Sequence, residues 1–105
     1  MNVVVAGPDP DGLGRELEDL GADVTYIEGI ATDDSLRTAG IETASLLVLT
    51  DMEDASAIPI AKDVNPDVRV VTYSRDSLPE FARGQTDLAV DPSLLSPDVV
   101  AEELL

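Results

Sequence analysis

The chain has 105 residues, enough for one domain with one core, and 44% of them are apolar, which fits a folded globule rather than a disordered segment. Its 22 acids face only 6 bases, a formal charge of −16, which excludes duplex nucleic acid and an anionic membrane as partners held by charge. Cysteine and histidine are both absent, removing disulfides, thiol chemistry, zinc–thiolate sites and the commonest general base.

The first apolar run, Val3-Val4-Val5-Ala6, reads as a buried strand. It feeds a turn, Gly7-Pro8-Asp9-Pro10-Asp11-Gly12, rich in carboxylates and prolines. The helix over residues 13–20 then sets Leu13, Leu17 and Leu20 on one face, and Gly21 closes it. Residues 23–28 form the second strand, with Glu28 at its exit and Gly29 as its breaker. Thr32 is the expected N-cap of a short helix whose first turn holds Asp33 and Asp34, with Leu36 and Ala39 facing inward.

Leu46-Leu47-Val48-Leu49 is apolar on both faces, as a central parallel strand should be, and Thr50-Asp51 is its exit. The next helix ends near Val64, before Asn65-Pro66. Pro59 within it demands a start near Ser56 or a kink. Residues 68–73 make the fourth strand, 77–84 a short helix and 88–90 a fifth strand. Ser96-Pro97-Asp98 opens a last helix carrying Val99, Val100 and Leu104. The only aromatics, Tyr26, Tyr73 and Phe81, are expected to pack rather than to stack a ligand.

Five strands alternating with five helices predict a three-layer α/β sandwich, Rossmann-like or flavodoxin-like, as a single domain over residues 1–105. No basic leader and no run of about 20 apolar residues is present, so neither a signal peptide nor a membrane span is expected. The acids are spread along the whole chain. Their mutual repulsion shrinks in molar salt, where the screening length falls to about 3 Å. A cytoplasmic protein of a salt-loving organism is the expectation.

The run Ala31-Thr32-Asp33-Asp34-Ser35-Leu36-Arg37-Thr38-Ala39-Gly40-Ile41-Glu42-Thr43-Ala44-Ser45 resembles the nucleotide-binding half of the domains that regulate potassium conductance in Trk and Ktr transporters. Ala61 to Arg69 and Gly84 to Pro92 resemble later passages of the same domains. The resemblance implies a shortened form lacking the outer strand and helix, so that a 3-2-1-4-5 sheet becomes, after renumbering, a five-stranded parallel sheet of order 2-1-3-4-5. It also implies pairing with a second copy through helices, for which Val99, Val100 and Leu104 offer an apolar face.

By the same resemblance the cofactor-binding candidates are Gly7, Asp9, Gly12, Glu28, Thr50 and Asp51. Gly7, Asp9 and Gly12 hold the spacing of a Gly-x-Gly-x-x-Gly turn, but Asp9 replaces the glycine that lets backbone approach a pyrophosphate. Pro8 and Pro10 remove N–H donors from that turn. Glu28 stands where an acid would meet a ribose. Ser56 and Tyr73 replace an Asn and an Arg of the related domains.

The favoured expectation is therefore a non-catalytic, cytoplasmic binding or regulatory module of nucleotide-binding descent. Its dinucleotide affinity is weakened or lost, and it has no catalytic residue, no metal ligand set and no dedicated cofactor. Residual nucleotide or Mg²⁺ affinity stays open. Its partners would be a second copy or another protein. One alternative is similar to a phospho-receiver domain, with Asp9 and Asp11 as acidic pair, Asp51 as phosphoryl acceptor and Thr72 or Ser74 as hydroxyl. Asp91-Pro92 stands where such a domain has its lysine. A nucleotide- or NAD-linked enzyme, including a glutamine-dependent one such as CTP synthetase, is disfavoured for want of Cys, His and a phosphate-binding lysine.

Overall fold

Three apolar runs without polar alternation become the middle of the sheet. In the computed structural model, which describes residues 1–105, these are β1 (Asn2–Ala6), β3 (Leu46–Leu49) and β4 (Arg69–Tyr73). β3 is buried along its whole length, and β1 and β4 are exposed only at their first residues. β2 (Asp23–Ile27) and β5 (Leu88–Val90) are the more exposed edges. All pairings are parallel, in the order β2-β1-β3-β4-β5, so the expected flavodoxin-like sheet is the one observed.

Strand pleat divides the core in two. Val3, Val5, Leu46, Val48, Val71 and Tyr73 face the layer of α1 (Leu13–Asp19) and α4 (Pro97–Leu104). Val4, Ala6, Leu47, Leu49 and Val70 face the layer of α2 (Asp33–Thr38), α3 (Ala57–Val64) and a 3₁₀ stretch, Glu80–Gln85. Right-handed crossovers account for the division. The chain steps one way from β1 to β2 and the other way from β2 to β3. Hence α1 and α2 must lie on opposite faces.

Capping follows the residue types. The Thr32 hydroxyl accepts from the Ser35 N–H at 3.1 Å while the Ser35 hydroxyl accepts from the Thr32 N–H at 2.7 Å, a reciprocal box at the start of α2. Pro59 is harmless. α3 starts at Ala57, placing the proline in a first turn whose N–H groups have no intrahelical partner.

Several side chains depart from expectation. Leu20 lies beyond the last turn of α1 and is half exposed, because the helix stops at Asp19. Phe81 is 62% exposed, since Ala82 takes the inward position of its 3₁₀ stretch. The helix expected over residues 77–84 is that 3₁₀ stretch, which begins after Pro79. Val100 and Leu104 are buried against α1 and the sheet, leaving only Val99 of the proposed dimer face at the surface. An apolar face needed to close the domain's own core is not available to a second copy. No helix is long and apolar enough to cross a membrane.

Candidate functional site

In an open α/β sheet, ligands bind outside the carboxyl ends of the strands where the connection direction reverses, here at the exits of β1 and β3. Gly7 leaves β1 with φ of +98°, a left-handed backbone, and passes hard against the β3 exit. A Cβ on Gly7 would lie 2.7 Å from Thr50 Oγ1 and 3.0 Å from the Asp51 backbone N. The Thr50 N–H continues the sheet ladder by donating to Ala6 O at 3.0 Å. Its hydroxyl is directed at the carbonyls of Ala6 and Pro8, so one side chain laces the two exit loops together.

Asp9, Asp11 and Asp51 each have their own structural partner. The Asp9 carboxylate accepts from the N–H groups of Leu13 at 3.0 Å and Gly14 at 2.9 Å. Gly12, the N-cap of α1, has no side chain to do this. Asp9 therefore takes the place that an external anion would occupy at that helix end. Asp11 pairs with Arg75 at 3.3 Å, tying the β1 exit to the β4 exit. Asp51 turns onto its own chain, accepting from the Glu53 N–H at 2.9 Å to cap the 3₁₀ turn Met52–Asp54.

The six residues singled out from the sequence fall into two places. Gly7, Glu28 and Asp51 line one cleft of about 600 Å³ between the exits of β2, β1 and β3. Asp9 and Gly12 line a separate depression with Arg15 and Tyr26. Thr50 lies between the two loops, outside both linings. Glu53 and Asp54 join Glu28 and Asp51 in the cleft, which has no basic lining residue. Even so, nowhere do three or more carboxylates converge in a way that would hold a metal ion.

Asp91, after β5, accepts from the Ser93 hydroxyl at 2.6 Å and the Ser93 N–H at 2.8 Å, and these bonds hold its carboxyl below the usual range. The only lysine is at the opposite end of the sheet. Lys62 donates to Val68 O at 2.6 Å and Asp87 Oδ2 at 3.0 Å, where β4 and β5 begin. Burial pushes the Asp87 carboxyl up, but the Val70 N–H, Lys62 and Arg69 together bring it below its ordinary value.

Two features of the site region were hidden from sequence reasoning. Gly14 looks like a neutral helix position, yet Tyr26 lies so close that a Cβ there would come within 2.5 Å of its hydroxyl oxygen. That hydroxyl donates to Glu18 at 2.8 Å; burial and the Glu18 carboxylate raise the Tyr26 pKa to about 12. Arg75 as partner of Asp11 depends on sheet order, and no spacing along the chain announces it.

The sheet order and its helix layers define a flavodoxin-like α/β domain. The chain belongs to a family of unknown function, DUF7126, whose model matches residues 3–104. No curated protein matches it in sequence. Among solved structures it is similar to an orphan response regulator of H. pylori, with TM-score 0.75 and 16% identity over 99% of this chain and 92% of that one. An atypical orphan response regulator superposes with TM-score 0.73 and 17% identity, covering 98% of this chain and 91% of that one. A protein assigned to pilus assembly in Burkholderia thailandensis gives TM-score 0.70 and 23% identity over 99% and 94%. At such identities the likeness is one of fold.

These findings correct the resemblance to Trk and Ktr domains. The structural neighbours are receiver-like, and the family match is to DUF7126. The run that carried the resemblance folds as a capping box, one short helix and a 3₁₀ turn, Ile41–Thr43. Thr, Asp, Ser and Gly at such spacing are what helix ends require of any sequence.

Proposed function

We propose that the chain is a non-catalytic regulatory module with a receiver-like fold, acting in the cytoplasm through contacts with another protein and without phosphorylation of Asp51. One observation carries the reading: the β1 and β3 exits, where a receiver holds its acidic pair and acceptor, are tied together by Thr50 at Gly7 and their three aspartates turn to separate partners. Asp9, Asp11 and Asp51 are each engaged elsewhere. The absence of a lysine after β5 supports the same conclusion, because a transferred phosphoryl group would lack a compensating cation. The atypical orphan response regulator of similar fold is described as using a phosphorylation-independent regulatory mechanism, and this chain is read in the same way.

Nucleotide binding is not favoured. The helix end that would receive a phosphate holds Asp9, and the neighbouring cleft repels anions. The test is direct. After incubation with acetyl phosphate and Mg²⁺ the intact mass is expected to stay unchanged. An adduct mapped to Asp51 would overturn the proposal.

A further inference from the structure

We infer that the open edge of β2, with the groove between it and α2, docks an extended basic segment of a partner protein, added to the sheet as a further strand. This extends the regulatory reading by giving the partner a chemistry; it rests on the β2 edge and α2 and shares only Ile27 and Glu28 with the cleft described above.

β2 pairs with β1 on one side only. The Asp23 N–H donates to Met1 O at 2.9 Å, toward β1. Because backbone groups alternate along a strand, Val24 and Tyr26 present their N–H and C=O groups to the open side. Edges are commonly blunted by proline, lysine or a bulge, or are very short. β2 has no proline, lysine or bulge, and its one charge is Asp23 at its start; its sequence Asp-Val-Thr-Tyr-Ile is rich in strand-forming residues and pairs in unbroken register with β1. The opposite edge, β5, has three residues and runs into Asp91-Pro92.

Beside the β2 edge, α2 packs toward α3 and leaves a groove of about 530 Å³. Ile27 and Ala39 give it an apolar lining, and Thr25 and Thr38 add hydroxyls. Its charged lining residues, Glu28 and Asp34, are both acidic, and Asp23 starts the strand. A second copy would bring the same acids and a charge of −16 to this edge, so like would meet like. A segment alternating basic and apolar residues satisfies the edge hydrogen bonds, the lining and the charge together.

The experiment titrates the labelled full chain, at low salt, with a short peptide of alternating Lys and Val, with its Glu-Val counterpart, and with a Lys-Val peptide N-methylated on alternate residues. Amide shifts confined to residues 23–28 and 32–39, with slowed hydrogen exchange at Val24 and Tyr26, are expected for the first peptide alone. The double substitution Glu28→Lys, Asp34→Lys should weaken that binding by about tenfold or more while leaving the remaining spectrum in place. Absence of shifts, shifts scattered over the acidic surface, or equal binding of the N-methylated peptide would overturn the inference. The readout is independent of any adduct at Asp51, so either proposal can fail without the other.

Discussion

Gly7 and Gly12 both have left-handed backbones, at φ of +98° and +78°, but only one is also crowded. Nothing lies within 4 Å of a Cβ built on Gly12. Gly12→Ala should therefore cost only the conformational penalty, about 1–2 kcal/mol. Gly7→Ala adds overlap with Thr50 and the Asp51 backbone, and the combined loss should reach about 3 kcal/mol. Denaturant unfolding of the two variants measures the difference. At Gly14 the intruding group is instead the far end of Tyr26. Gly14→Ala should push the ring aside and break its bond to Glu18, so the phenol titrating near 12 moves back toward 10.0. The tyrosinate absorbance of a Tyr73→Phe background follows that one group. These glycine roles are only half legible in a sequence. A glycine before a proline-rich turn announces a bend, whereas the side chain approaching it comes from a distant strand.

At the level of elements, Lys62 links the end of α3 to the starts of β4 and β5. Its ammonium serves the Val68 carbonyl and the Asp87 carboxylate, which also accepts the Val70 N–H at 2.7 Å. Lys62→Met removes charge-assisted bonds from a largely buried position and should cost about 2 kcal/mol, measured by chemical denaturation. The pH dependence follows from Asp87, whose carboxyl titrates below its ordinary value in the fold. Its contribution is present above the unfolded pKa and is lost as pH falls through the folded one. Asp87→Asn should flatten that part of the acid limb of a stability–pH curve, modestly, because the group is partly exposed and screened. A limb unchanged by the substitution would show that Asp87 has no part in it. Helix starts are more legible at this scale. The Thr32 cap and the late start forced by Pro59 are local, set by residues within one turn of each other. The 3₁₀ stretch Glu80–Gln85 is not, since its geometry is a compromise between Pro79 and the docking of Ala82 on the core.

Over the whole molecule, 22 acids on one small domain make self-repulsion a main opponent of folding at low ionic strength. Raising KCl from 0.1 M to 1 M shortens the screening length from about 10 Å to 3 Å. The melting temperature should rise with it, by about 5 °C if 1 kcal/mol of repulsion is relieved. A flat melting curve across that range would mean that surface charge does not limit stability.

What the sequence by itself determined is a parallel sheet between two helix layers; its order was read through a resemblance that the structural neighbours correct. The apolar runs at residues 3–6, 46–49 and 70–73, the turn glycines and the helix caps are local patterns, and right-handed crossovers leave such a chain few ways to assemble. Tertiary structure decided where the carboxylates point. Asp9, Asp11 and Asp51 read alike as loop acids at the same sheet edge. Only the folded loops turn one to the N-terminus of α1, one to Arg75 and one to its own 3₁₀ turn. Burial of Val100 and Leu104 was settled in the same way, by α4 returning to the face of α1. The physical reason is range. Hydrophobic period and capping act within a turn or a strand, while a charge takes whichever partner the completed topology brings within reach.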